Sequence, residues 1–290
     1  MKRIFIIINI IFSFQELSAC DICGCSAGNY FIGPFPQFRK HFFGFRYTMR
    51  NFQSHVALDA NQYSKDFYQT IEFWGGYNIN KKWQLLLFIP YNINRQSSDD
   101  GINKNNGPGD ISMITNYKLF NSRKGDKHGN MISQQLWIGA GIKMPTGRFN
   151  LDPDELVPTA NIQAGSGSVD FILNTMYTYH INDWGINTSI NYKINSSAEQ
   201  YKYGNRFTAS SFVFYSIAKR KKTYNPNFGI LYENLSSNEL RKEKIIDTGG
   251  YSLLASGGME INFSKVAIGF DIQLPVSQNL SNQQTKTGMR

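Results

Sequence analysis

The chain has 290 residues, of which 41% are hydrophobic and 14% aromatic, and a formal net charge of +9. Beyond the N-terminus there is no run of about 18 apolar residues, which excludes a helical membrane protein, and no composition shift or linker divides the chain. The positive charge gathers in short clusters such as Lys219-Arg220-Lys221-Lys222 and Arg241-Lys242 between apolar segments. These read as solvated turns, so nucleic acid is not an expected partner.

Lys2-Arg3 is followed by an apolar run from Ile4 to Phe14 and then by Leu17-Ser18-Ala19. A positive start, a core of this length and small residues before the cut predict a secretory signal peptide over residues 1–19. Leu17-Ser18-Ala19-Cys20 also fits a bacterial lipobox, in which Cys20 is acylated, and ordinary cleavage would cut the same bond. Residues 20–37 form a cysteine-rich head predicted to be periplasmic. Cys20, Cys23 and Cys25 are the only cysteines, spaced C-x2-C-x-C. Clustered thiolates suit copper(I) or zinc, so the three are candidate metal or redox ligands. The competing readings are a lipid on Cys20, or a disulfide that leaves an odd thiol.

From residue 38 to residue 275 the chain alternates apolar and polar residues with a period of two, the signature of strands with one apolar face. The hairpin from Phe67 to Ile93 sets the pattern. Ile71, Phe73, Tyr77 and Ile79 share one face of its first arm; Trp83, Leu85, Leu87, Ile89 and Tyr91 share one face of the second. Eleven such segments follow one another. Many are near the 9–11 residues that a tilted membrane-crossing strand needs. The gaps alternate between long (52–64, 95–108, 146–167, 195–205, 235–248) and short or intermediate (80–82, 121–130, 182–183, 219–226, 263–265). Outer-membrane barrels show this asymmetry, with short periplasmic turns, and it predicts a periplasmic N-terminus. The strand charges, among them Arg46, Arg50, Lys118, Lys193 and Glu233, all fall opposite the apolar face, as a lumen requires.

The expected fold is therefore all-β: a transmembrane antiparallel up-and-down barrel of about 12 strands. Eleven are visible. Residues 276–290 read as a polar tail without alternation, so the closing C-terminal strand is expected to be missing. By parity the lumen receives Glu72, Trp74, Trp137, Lys143, Asp170, His180, Arg206, Glu260 and Asp271 as candidate transport residues. Tyr68, Phe212 and Phe214 join the tryptophans as an aromatic lining, and the 146–167 loop is placed to fold inward as a constriction. Neither H-E-x-x-H nor G-x-S-x-G occurs, and an enzyme is not expected.

Four stretches carry a family resemblance: Gly107-Pro108-Gly109-Asp110; Gly139-Ala140-Gly141-Ile142-Lys143-Met144-Pro145-Thr146-Gly147; Gly165-Ser166-Gly167-Ser168-Val169-Asp170; and Leu274-Pro275-Val276-Ser277-Gln278. In order and spacing they resemble the bacterial outer-membrane barrels named for the meta-pathway of phenol degradation, over roughly residues 38–290. The cysteine-rich head looks like a subgroup feature. The resemblance implies an outer-membrane channel or transporter of a Gram-negative bacterium, its partners being membrane lipid and a small, hydrophobic or aromatic solute. The alternative is a barrel-anchored copper, zinc or redox accessory protein that uses the cysteine cluster.

Overall fold

The computed structural model describes residues 41–56, 59–98, 101–127, 129–150 and 161–290. The predicted signal peptide, the cysteine-rich head and the metal and lipid readings at Cys20, Cys23 and Cys25 lie outside the described residues.

The chain begins with β1 (Phe42–Val56), β2 (Asp59–Asn78), β3 (Trp83–Ser98), β4 (Gly101–Pro108), β5 (Ser112–Gly125), β6 (Met131–Lys143), β7 (Asp170–Ile181) and β8 (Trp184–Ile194). Two-residue strands β9 (Ser197–Ala198) and β10 (Tyr201–Lys202) precede β11 (Arg206–Tyr215), β12 (Ile217–Lys219) and β13 (Lys222–Leu235). After β14 (Glu239–Leu240) and β15 (Glu243–Lys244) come β16 (Gly250–Asn262), β17 (Ala267–Leu280) and β18 (Thr285–Thr287). Every pairing is antiparallel and nearly all join sequence neighbours. β4 and β5 act as one stave broken at 109–111, and β11 and β12 as one broken at Ser216. Twelve staves close into a barrel through β18, whose Thr285 and Thr287 face Ser54 and Phe52 of β1. The remaining short strands β9, β10, β14 and β15 form a separate four-stranded sheet over the long-loop end.

Period-two alternation explains the two surfaces. Phe43, Phe45, Ile71, Tyr77, Phe171, Leu173, Phe228 and Phe270 all point outward, and Phe43 and Phe45 are 79% and 75% exposed. A continuous apolar belt of this kind is stable against hydrocarbon and would aggregate in water. Arg50, Glu72, Lys143, Asp170, Lys193, Arg206 and Glu233 point inward and are buried. That agrees with the cost of about 2–4 kcal/mol for a cationic side chain facing lipid at midplane. Outward aromatics pair near the short turns, Trp83 with Tyr117 at 4.8 Å and Trp184 with Tyr215 at 4.9 Å between ring centroids. Amphipathic rings are favoured at a membrane interface.

Two expectations need correction. The closing strand expected to be missing is present: β17 continues past residue 275 to Leu280, and β18 supplies the twelfth stave within the supposed polar tail. Gly288 donates its N–H to Asn51 O at 3.0 Å, and Gln273 and Arg290 exchange backbone hydrogen bonds. β18 carries no apolar face because it packs Thr285 and Thr287 onto a polar part of the lumen, so alternation could not reveal it. Second, the gaps 52–64 and 95–108 are mostly strand, with residues 57–58 and 99–100 between the strand ends. The ladder runs on where both faces are polar and the hydrophobic signal stops. A register shift between Lys118 and Phe120 brings Phe120 opposite Leu136, and both Leu119 and Phe120 are exposed.

Candidate transport lumen

The interior is layered. At the long-loop end, the three glycine-bearing motifs singled out in the sequence meet at one carboxylate. Asp110 sits in the break between β4 and β5. Its Oδ1 accepts the Gly147 N–H at 3.0 Å, and its Oδ2 accepts the Ser166 N–H at 2.8 Å and the Ser166 hydroxyl at 2.7 Å. Lys143 Nζ donates to the same Oδ2 at 2.8 Å. Gly147 and Gly165 lie back to back beside it. A Cβ on Gly165 would come within 2.7 Å of the Gly147 carbonyl carbon and 2.9 Å of Asp110 Oδ1. Only glycine permits this approach of two backbones.

This clasp fastens the 144–169 connection inside the barrel. Asn92 of β3 donates to Ala164 O at 2.7 Å, and Asn94 donates to Ile162 O at 3.0 Å and Gln163 O at 3.1 Å. The Gln163 amide bridges the loop's two limbs, donating to Asn150 O at 2.8 Å and accepting the Asn150 N–H at 3.1 Å. Asn161, Ile162, Gln163 and Ala164 are buried as a result. The expected inward fold of this connection is seen for the residues on both sides of 151–160. Phe149, from the same loop, packs with Tyr201 and Leu240 of the covering sheet and with Tyr203 and Ile245 beside it. Burial, with Tyr201 beside it, pushes the Tyr203 phenol well above its usual pKa.

A chain of buried charges continues around the wall from the clasp. Lys143 Nζ is 2.7 Å from Asp170 Oδ2, and Lys193 Nζ is 3.9 Å from the same oxygen. Asp170 also accepts the Ser168 hydroxyl at 2.8 Å and the Ser196 N–H at 3.0 Å. Arg206 lies opposite Lys193 in the β8–β11 register. From Asp110 through Lys143 and Asp170 to Lys193 the signs alternate, and with dense hydrogen bonding this allows the charges to be buried, whereas Arg206 adds a like charge beside Lys193.

Below this layer the interior turns apolar. Leu86, Phe88, Ile114, Trp137, Ile172 and Met176 form one buried cluster, with Phe42 and Trp74 packed against it. Trp74 and Phe88, cross-strand partners, stack at 6.2 Å and 9°. Further around the barrel, Phe212, Phe214, Leu231 and Leu254 are also buried. Between this belt and the short turns lies a cavity of about 1040 Å³, lined by His41, Lys81, Lys82, Lys118, Trp137 and neighbouring residues.

The nine candidate lumen residues all lie on inward-facing strand positions, but not as one site. Lys143, Asp170 and Arg206 belong to the charged chain. Trp74 and Trp137 belong to the apolar belt. Glu72 pairs with Arg46 on a separate wall. His180 meets the Phe214 ring edge-on at 5.0 Å. On β16 and β17, Glu260 accepts from Asn262 at 2.7 Å and Asp271 accepts from the Ser256 hydroxyl at 2.6 Å, away from the clasp. The sequence reading missed Leu86, Phe88, Ile114, Ile172 and Met176. The unbroken run Leu85 to Ile89 was the available signal, since a strand apolar on both faces cannot border a purely polar lumen.

No protein-family model matches the chain, and no curated protein matches it by sequence. The fold is similar to the crystal structure of an outer membrane channel from Pseudomonas putida F1. The TM-score is 0.57 at 12% sequence identity, and the match covers 85% of this chain and 91% of that one.

Proposed function

We propose that this barrel is an outer-membrane channel for small solutes of hydrophobic or aromatic character, its short turns facing the periplasm. The observation that carries the reading is the apolar belt of Leu86, Phe88, Ile114, Trp137, Ile172 and Met176 inside a barrel whose outer face is also apolar. Water-filled pores have polar interiors, and an apolar constriction disfavours water and hydrated ions. The fold likeness to an outer membrane channel supports the same role. Reconstitution into liposomes provides the test. Phenol or toluene flux well above that of protein-free vesicles is expected, with sugars of similar size passing far more slowly. Equal flux of the sugars, or no flux above empty vesicles, would remove the reading.

A second reading comes from Cys20, Cys23 and Cys25, whose spacing suits one copper(I) or zinc ion. It predicts about one equivalent of metal in the purified full chain, lost on Cys23→Ser and Cys25→Ser substitution, as read by mass spectrometry of the metal. If Cys20 instead carries lipid, intact-protein mass will show the acyl chains.

A further inference from the structure

The two mouths of the barrel differ in charge. The turns at the short-turn end, residues 79–82, 123–130, 182–183, 219–222 and 263–266, hold ten Lys or Arg against two Asp. That excess is nearly the whole of the chain's net charge of +9. The cavity of about 1040 Å³ opens within this ring, and among the described residues no carboxylate lines it. Lys118 reaches into it from β5, its ammonium 4.5 Å from the Trp137 ring centroid. Lys81 and His41 border it from the β2–β3 turn and the start of β1. The Lys82 ammonium lies at the outer rim, 5.9 Å from the Tyr117 ring. Trp137 is both a wall of this cavity and a member of the buried apolar cluster above it.

A site that is cationic at its mouth and aromatic to aliphatic at its back matches a molecule of the same polarity. We infer that this vestibule binds organic anions with an apolar body, such as arene or alkyl carboxylates. The carboxylate would lie near Lys118 and Lys81, and the hydrocarbon part against Trp137 at the back of the cavity. Low-dielectric walls around a ring with a large excess of one sign concentrate counter-ions. The Trp137 contact holds the Lys118 ammonium at the boundary between the two environments. This inference rests on the channel reading and adds acids with an apolar body to its hydrophobic and aromatic solutes.

Binding, measured apart from flux, provides the test. The full chain in zwitterionic lipid nanodiscs is dialysed to equilibrium against biphenyl-4-carboxylate or its neutral alcohol, with empty nanodiscs subtracted. At low salt the carboxylate is expected to bind about tenfold more tightly than the alcohol, as two partly screened ammonium groups would allow. The preference should shrink as salt shortens the Debye length from about 30 Å at 0.01 M to about 8 Å at 0.15 M. Lys118→Met, which keeps the side chain's bulk over Trp137, and Lys81→Gln on the exposed turn should each remove several-fold of the preference. Equal affinities for the two compounds, or a preference indifferent to salt and to both substitutions, would overturn the inference. The salt series on the unaltered chain decides the matter even where a variant does not fold. Carboxylate binding without flux would keep the site and remove the channel; flux with equal binding would do the reverse.

Discussion

The two ends of this barrel solve opposite problems with the same strands. At the long-loop end a connection is drawn inside and fastened: Asp110 takes four donors from Gly147, Ser166 and Lys143, and Lys143 is shared with Asp170. A four-stranded sheet lies over it, with Tyr201 and Tyr203 packed on Phe149. At the short-turn end the connections are tight, cations outnumber carboxylates ten to two, and a cavity reaches up to Trp137. Buried charge at one end is paired with opposite charge at 2.7–3.9 Å; at the other a net positive charge surrounds the cavity. Sealing requires paired charge, because unpaired charge in a low dielectric is too costly. Attraction of a solute requires a net field, which paired charge cancels.

The comparison breaks most sharply at Asp110. Asp110→Ala removes the acceptor of two backbone N–H groups and a hydroxyl and leaves Lys143 and Lys193 to share Asp170. Losses of this kind in a buried network cost about 3 kcal/mol or more. The expected outcome is release of the 144–169 connection without loss of the barrel. In reconstituted vesicles, solute flux should rise several-fold, and protease should cut within that connection while the β-sheet circular dichroism is retained. Flux and cleavage unchanged from the parent would mean that the clasp does not hold the seal.

Asn94→Ala tests the same seal more gently. It removes the amide donor to Ile162 O and Gln163 O but leaves Asn92 bonded to Ala164 O. One lost hydrogen-bonding group of this type costs about 1 kcal/mol. Protease cleavage of the connection should increase modestly, by about fivefold, and less than in Asp110→Ala. An effect equal to that of Asp110→Ala would shift the anchor from the carboxylate to β3.

What the sequence disclosed follows from what each pattern reports. Outward apolar parity was legible across almost every strand because lipid imposes one rule along the whole belt, and Phe45, Ile71, Phe171 and Phe228 all obey it. Inward charges such as Glu72, Lys143 and Asp170 were legible by the same rule, read from the other face. Three things were not. Strand beyond the membrane, as in β4, has no partition rule to obey, so its ladder left no trace in hydropathy. Thr285 and Thr287 close the barrel through backbone pairing with β1, which any side chain of suitable size permits. The convergence of Asp110, Gly147 and Ser166 joins the 109–111 break to both limbs of the 144–169 connection. Spacing along the chain could mark each motif as loop-shaping, but not that one carboxylate serves all three. The expected aromatic lining was half right. Tyr68, Trp137, Phe212 and Phe214 do face inward, yet they are buried among other side chains and fill the interior more than they border an open path.

At the other end the smallest effect is expected. Lys118→Met removes a cation from the face of Trp137, a contact 4.5 Å from the ring centroid. Lys118 is half-buried and its ammonium borders an open cavity, so water stabilises it nearly as well in the unfolded chain. The lost cation–π contact amounts to about 0.5 kcal/mol at such a site, and methionine restores much of the packing through its sulfur and methyl group. Urea unfolding in lipid vesicles should therefore give a midpoint within error of the parent's, in contrast to the clear loss at Asp110. A destabilisation of about 2 kcal/mol or more would mean that Lys118 is tied into the fold as tightly as Lys143. The charge at this mouth would then be structural, and the contrast between a neutralised end and an attracting end would fail.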